Sequence, residues 1–151
     1  MRLGSAFLRN AEIDVPDDRL LVLLSAAVSR VPPGTAPLQS VLRVGLKRRG
    51  EMPGLVGLTR WGEEAYGSVT RGPGRTPGRG RQTITFYTEL LNQLSEKATL
   101  AVIVHELAHA WLNEHLSPEE SEAREEEADR LAREWGFGEE LDALEGETEP
   151  V

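Results

Sequence analysis

The stretch "TLAVIVHELAHAW" (residues 99–111) sets two histidines and a glutamate inside a run that is otherwise apolar. The run is rich in good helix formers and is opened by Ser95 and Glu96, so a helix is expected over residues 96 to about 112. On that helix His105 and His109 are four residues apart, about 40° around the axis, and both imidazoles can reach one point. Glu106 stands one position beyond the first histidine, where its carboxylate reaches a water at that point rather than an ion. Burying two imidazoles and a carboxylate among apolar side chains is costly unless something binds them. The pattern H-E-x-x-H on a helix therefore predicts a metal site with Glu106 as its general base. Ala108 and Ala110 are small enough to let a neighbouring element pack closely.

Working outward, the chain contains no cysteine. That excludes thiolate zinc sites, iron–sulfur clusters, disulfides and a cysteine nucleophile, and leaves nitrogen and oxygen as ligands. A catalytic zinc normally takes three protein ligands and a water, so a third ligand is needed beyond His105 and His109. One candidate is His115, six residues after His109. A pattern with that histidine spacing uses a glycine to turn the chain, and Leu112 stands at the glycine position here. On an unbroken helix His115 points about 120° away from His109. The other candidate lies in the next helix, which "SPEE" (117–120) announces as a capping box with Pro118 in the first turn. In "SEAREEEADRLAREW" the stripe Ala128, Leu131, Ala132 and Trp135 extends backward to Glu125. Glu126 shares the opposite face with Arg130 and Arg133, and Glu122 lies toward the polar edge, so these read as solvated residues with local ion pairs. Asp129 projects beside Glu125 and is placed to accept a hydrogen bond from the non-ligating nitrogen of a ligand histidine. "GFG" (136–138) ends this helix.

At 151 residues the chain suits one compact domain. Near its start, "LLVLLSAAV" is too short to span a bilayer and follows acidic residues, the wrong order for a signal peptide, so a soluble cytoplasmic protein without membrane contact is expected. "RLLVLLSAAVSRV" after Asp17 and Asp18 repeats at helical spacing until "PPG" (32–34). "LQSVLRVGLKRR" alternates as a half-buried strand, with Val41, Arg43, Gly45 and Lys47 on one face and Leu42, Val44 and Leu46 on the other. "GLVGLTRW", "YGSVT" and "TITFY" (83–87) read as further strands. Between the last two, "TRGPGRTPGRGRQ" (70–82) reads as a mobile loop. Its Arg71, Arg75, Arg79 and Arg81 offer the one route to nucleic-acid contact, for which a single short loop is weak evidence.

Net charge is −8, unevenly spread: residues 1–90 carry 13 basic and 8 acidic side chains, residues 91–151 carry 4 and 17. The acidic half reads chiefly as a solvated helix and tail.

"HELAH" followed by "EEEADRLA" resembles the gluzincin branch of the zincin metallopeptidases, particularly the minigluzincins and the ImmA/IrrE-like peptidases, over residues 83 to 137. The resemblance implies an α+β, zincin-like fold. Its parts are an N-terminal helix, a small mostly antiparallel or mixed sheet, an active-site helix and a helix supplying the third ligand. By position it makes His105, His109 and Glu125 the ligands of Zn²⁺, Glu106 the base that activates a zinc-bound water, and Asp129 the support of a ligand histidine. It also makes "TITFY" the cleft-edge strand that pairs with an extended peptide. Tyr87 and His115 are the candidates for stabilising an oxyanion. The expected function is zinc-dependent hydrolysis of a peptide or protein substrate, with residues 1–138 as the metallopeptidase domain and 139–151 as an acidic tail. Two alternatives are a latent or regulatory zinc-containing peptide-binding module, with the tail across the cleft, and a protease directed to DNA-associated proteins by the arginine-rich loop.

Overall fold

Two alternating apolar residues, Ile13 and Val15, start the fold. Both are buried while Glu12, Asp14 and Pro16 between and beside them are exposed, the period-2 signature of a strand. The computed structural model describes residues 7–8, 11–38, 41–47, 67–71, 82–87, 91, 93–115 and 121–148. The strand expected at 54–61, most of the arginine-rich loop (72–81) and the cap expected at 117–120 lie outside these residues. The elements are β1 (Glu12–Asp14), α1 (Asp18–Arg30), β2 (Val41–Lys47), β3 (Gly67–Arg71), β4 (Gln82–Tyr87), α2 (Glu96–His115), α3 (Ser121–Ala132) and α4 (Gly138–Thr148). A short π turn at Arg133–Phe137 joins the last two.

α1 forms as its sequence requires. The Asp17 carboxylate accepts a hydrogen bond from the Leu20 amide at 3.0 Å, capping the first turn. Leu20, Leu23, Leu24, Ala27 and Val28 recur at helical spacing and are buried. β1, α1 and β2 together make a crossover that returns the chain to the same end of the sheet, so β1 and β2 pair in parallel, with Ile13 opposite Val44.

The class is α+β, and the sheet is mixed, in the order β1-β2-β4-β3. β2 and β4 also pair in parallel, and only β3 runs antiparallel, against β4. A mostly antiparallel sheet is thus ruled out among the described strands. The reason is that α1 serves as a crossover from β1, a three-residue strand that sequence reading overlooked.

The strict alternation expected in β2 also fails at one point. The register with β4 shifts between Val41 and Arg43, so Val41 lies opposite Gln82 and Val44 opposite Ile84. Gln82 and Ile84 share a face of β4, and the irregularity therefore brings Val41 onto the same face as Val44. Both valines are fully buried.

β4 is internal rather than the cleft-edge strand expected, since β2 and β3 flank it. Ile84, Thr85, Phe86 and Tyr87 are all buried, so both faces of β4 are covered. The outer strand on this side of the described sheet is β3.

α2 runs through the middle of the molecule. Every residue from Ala101 to Ala108 is buried, as a helix apolar around its whole circumference demands. α1, α3, α4, β3 and β4 all pack against it. Its first turn is capped by Ser95, whose hydroxyl accepts from the Ala98 amide at 3.1 Å. No helix among the described residues is long and apolar enough to cross a membrane.

The stretch expected to be an acidic tail is a helix for most of its length. α4 packs on α2, with Leu141 in the core and Leu144 against it. Its carboxylates meet donors elsewhere: Glu140 binds Arg30 at 2.8 Å, Glu139 binds Lys97, and Glu147 accepts from the Ser95 amide at 2.9 Å and from the Ser95 hydroxyl. Hydrogen bonds from Arg30 hold the Glu140 carboxyl below the usual carboxylate range, and those from Ser95 do the same for Glu147. Arg133, expected to pair within its own helix, instead binds Asp142 at 3.0 Å.

The π turn after α3 breaks from helical conformation at Gly136, the first residue of "GFG", which adopts φ +97°. Glycine reaches this left-handed conformation without strain. Gly136→Ala is expected to cost about 1–2 kcal/mol. No atom lies within 4 Å of the added Cβ, so the loss comes from backbone strain rather than a clash. Thermal denaturation checks this, and an unchanged melting temperature counts against it.

Candidate metal centre

α2 and α3 pack against each other. Ala108 on α2 and Ala128 and Ala132 on α3 are fully buried, allowing the backbones to come close enough for side chains of medium length to meet. At this contact His105 and His109 project from one stripe of α2, as the four-residue spacing dictates. Their rings stand nearly perpendicular, with centroids 4.6 Å apart.

Glu125 of α3 closes the cluster. Its Oε2 lies 3.0 Å from His105 Nε2 and its Oε1 2.8 Å from His109 Nε2. The two Nε2 atoms are 3.0 Å from each other. On the far side of its ring, His105 donates from Nδ1 to Asp129 Oδ1 at 3.0 Å. That bond fixes the imidazole and leaves Nε2 directed at the cluster. Asp129 is half exposed, whereas His105 is almost fully buried. Glu106, next to His105, is also buried, at 3% exposure.

The electrostatics favour positive charge at the centre. Burial opposes a charge on His105, but hydrogen bonds to Asp129 and Glu125, with the nearby Glu106 carboxylate, raise its pKa to about 10. Burial likewise opposes ionisation of Glu125, and hydrogen bonds from His105 and His109 overcome it, lowering the pKa to about 2.

Two imidazole nitrogens and a carboxylate converging on one point fit a divalent cation. His105, His109 and Glu125 each offer one ligand atom, all within 4.8 Å of one another. Four ligands around a zinc at about 2.0–2.1 Å are separated by about 3.3 Å from one another. The observed separations of 2.8–3.0 Å fall a few tenths below this. Two nitrogens and an oxygen suit zinc and its transition-metal neighbours better than magnesium or calcium.

The remaining candidates are placed as follows. His115 is directed away to the segment after α1, with Nε2 3.2 Å from the Pro37 carbonyl oxygen and 3.0 Å from Glu114 Oε2. Its ring also tilts against Trp111, centroids 4.6 Å apart, and the Trp111 indole donates to the Ala36 carbonyl at 3.1 Å. His115 thus ties the end of α2 to residues 36–37. Tyr87 is buried at the end of β4. Glu126 and Arg130 are exposed on α3, as their face of the helix predicts.

Sequence reasoning missed Arg30 entirely. It binds Glu140 and the Gly136 carbonyl, and its guanidinium carbon sits 4.2 Å from the Phe137 ring centroid. Its chain position, just ahead of "VPPG", reads as an ordinary basic residue in a last helical turn, and no local signal announces a partner 110 residues away.

No curated protein and no solved structure matches the chain. Residues 74–121 match the family model of peptidase family M48. The matched segment is less than half of the chain, includes His105, Glu106 and His109, and stops short of Glu125. This local likeness to a family of metal-dependent peptidases, together with the His105–His109–Glu125 cluster, supports a metallopeptidase that acts on protein or peptide.

Proposed function

We propose that the chain is a zinc-dependent metallopeptidase of the gluzincin type, with a zincin-like arrangement of sheet and helices. His105, His109 and Glu125 hold the metal, Glu106 is the general base, and Asp129 orients His105. The observation that carries the reading is the meeting of His105 Nε2, His109 Nε2 and Glu125 at 2.8–3.0 Å beside a buried glutamate.

When bound, a zinc ion polarises the scissile carbonyl and lowers the pKa of a water toward about 7. The rest falls to the side chains. The Glu106 carboxylate takes a proton from the attacking water, whose oxygen forms a bond to the carbonyl carbon. As the C–N bond breaks, Glu106 returns that proton to the leaving amine, so that one water is consumed and one amine and one acid are released. Asp129 holds the Nδ1 proton of His105 throughout, which keeps Nε2 free as a ligand atom. An extended peptide is expected to add to the outer side of β3, which has no partner strand there among the described residues and packs against α2.

Elemental analysis of the purified protein tests the ligand set. The expected result is about one zinc per chain, weakened strongly by Glu125→Ala and left intact by His115→Ala. Absence of metal, or loss of zinc in His115→Ala with retention in Glu125→Ala, overturns the assignment.

A further inference from the structure

Resting on the metal reading above, we propose that Arg30, at the end of α1, is a positioning residue for the metal site. It fixes where α3 sits along α2, and with it the places of Glu125 and Asp129.

α3 packs on α2, and its Ala128 and Ala132 are fully buried. Alanines permit close approach but present little relief, so they resist sliding along the helix axis weakly. The ligand geometry is far less tolerant, because Glu125 and Asp129 must both stay within 2.8–3.0 Å of the histidines. Something else must set the axial position of α3, and its C-terminal corner is built for this.

At that corner the chain turns at Gly136, seven residues after Asp129 and within the π turn that follows α3. Arg30 grips the turn from α1 in three ways. Nη2 donates to the Gly136 carbonyl at 2.9 Å. Nη1 and Nη2 fork onto the two Glu140 oxygens at 2.8 and 3.4 Å. The guanidinium plane covers the buried Phe137 ring. A planar fork holding a carboxylate, a carbonyl and a ring at once defines position in a way that a single ammonium cannot. Trp135 is held from a second side, edge-on against Phe7 with centroids 5.6 Å apart. α1 itself is seated on α2, so Arg30 refers the corner of α3 back to the helix that carries His105 and His109.

The test is the zinc affinity of the full chain, measured by chelator competition well below the melting temperature. Arg30→Met keeps the apolar stem and loses the fork, and is expected to weaken zinc about tenfold or more. Arg30→Lys keeps the charge, restores part of the affinity, and serves as the working variant if Arg30→Met does not fold. The decisive comparison repeats the substitution in a Glu125→Ala/Asp129→Asn background. There α3 no longer reaches the metal, and loss of Arg30 is expected to change affinity less than twofold, as a coupling through those two residues requires. The visible spectrum of the cobalt-substituted protein should change with Arg30→Met in the parent and stay unchanged in that background. The proposal is overturned if Arg30 variants melt earlier yet bind zinc as tightly as the parent, or if they weaken zinc equally in both backgrounds. A parent protein that binds no zinc overturns the metallopeptidase reading and this one with it. A parent that binds zinc through Glu125 but is indifferent to Arg30 overturns this one alone.

Discussion

Replacing Glu106 with glutamine is expected to cut peptide hydrolysis by about 10²–10⁴-fold while the protein keeps its fold and its metal. The side chain is buried at 3% exposure in the middle of α2, and glutamine matches glutamate in size and in one carbonyl oxygen, so packing is preserved. What disappears is the group that accepts and returns a proton. His105, His109, Glu125 and Asp129 are untouched, and zinc content should stay near that of the parent. Affinity falls slightly, because the Glu106 carboxylate adds to the preference for positive charge around His105. His105→Ala behaves differently, losing metal and activity together. Full turnover by Glu106→Gln, measured on a peptide substrate with zinc content confirmed, shows that another group is the base.

Ending the chain after Gly138 is expected to abolish cooperative folding. Leu141 lies in the core, and removing a buried leucine side chain alone costs about 2–5 kcal/mol. The same truncation strips Glu140 from Arg30 and removes Glu147 from the Ser95 turn that opens α2. It also uncovers the face of α2 on which α4 packs. Together these losses approach the whole stability of a typical domain, about 5–15 kcal/mol. Loss of a sharp thermal transition by circular dichroism checks this. A truncated chain that stays folded and gains activity would instead show that these residues are an inhibitory tail laid over the cleft.

The residues that were legible from sequence share a local cause. Asp17 and Ser95 announce their helices because an N-cap acts within three residues, as the Leu20 and Ala98 amides show. Gly136 breaks the helical path between α3 and α4 because a left-handed residue is a local requirement. Glu125 was found because the stripe that buries Ala128, Ala132 and Trp135 continues to it at helical spacing. What was not legible depends on partners far along the chain. β1 is three residues long, and its parallel pairing with β2 is created by the path of α1 rather than by either strand. The register shift at the start of β2 appears only against β4. α4 is rich in glutamate and looked solvated, yet its carboxylates find Arg30, Ser95 and Lys97 at separations of 110, 52 and 42 residues. His115 has attractive spacing to His109, but its ring is engaged by Pro37, 78 residues upstream.

The bond from Arg30 to Glu140 also sets an order of events in time. A nascent chain that has emerged as far as Asp129 already carries every side chain of the proposed site. It cannot yet seat the corner beyond Gly136, because Glu140 and Leu141 are still to be synthesised. Closing a contact over that distance costs chain entropy that only the completed core returns. If Arg30 positions α3 as proposed, the proposed metal centre would be completed only after α4 has been made, so a chain still being synthesised would carry its ligands before it could hold them in place.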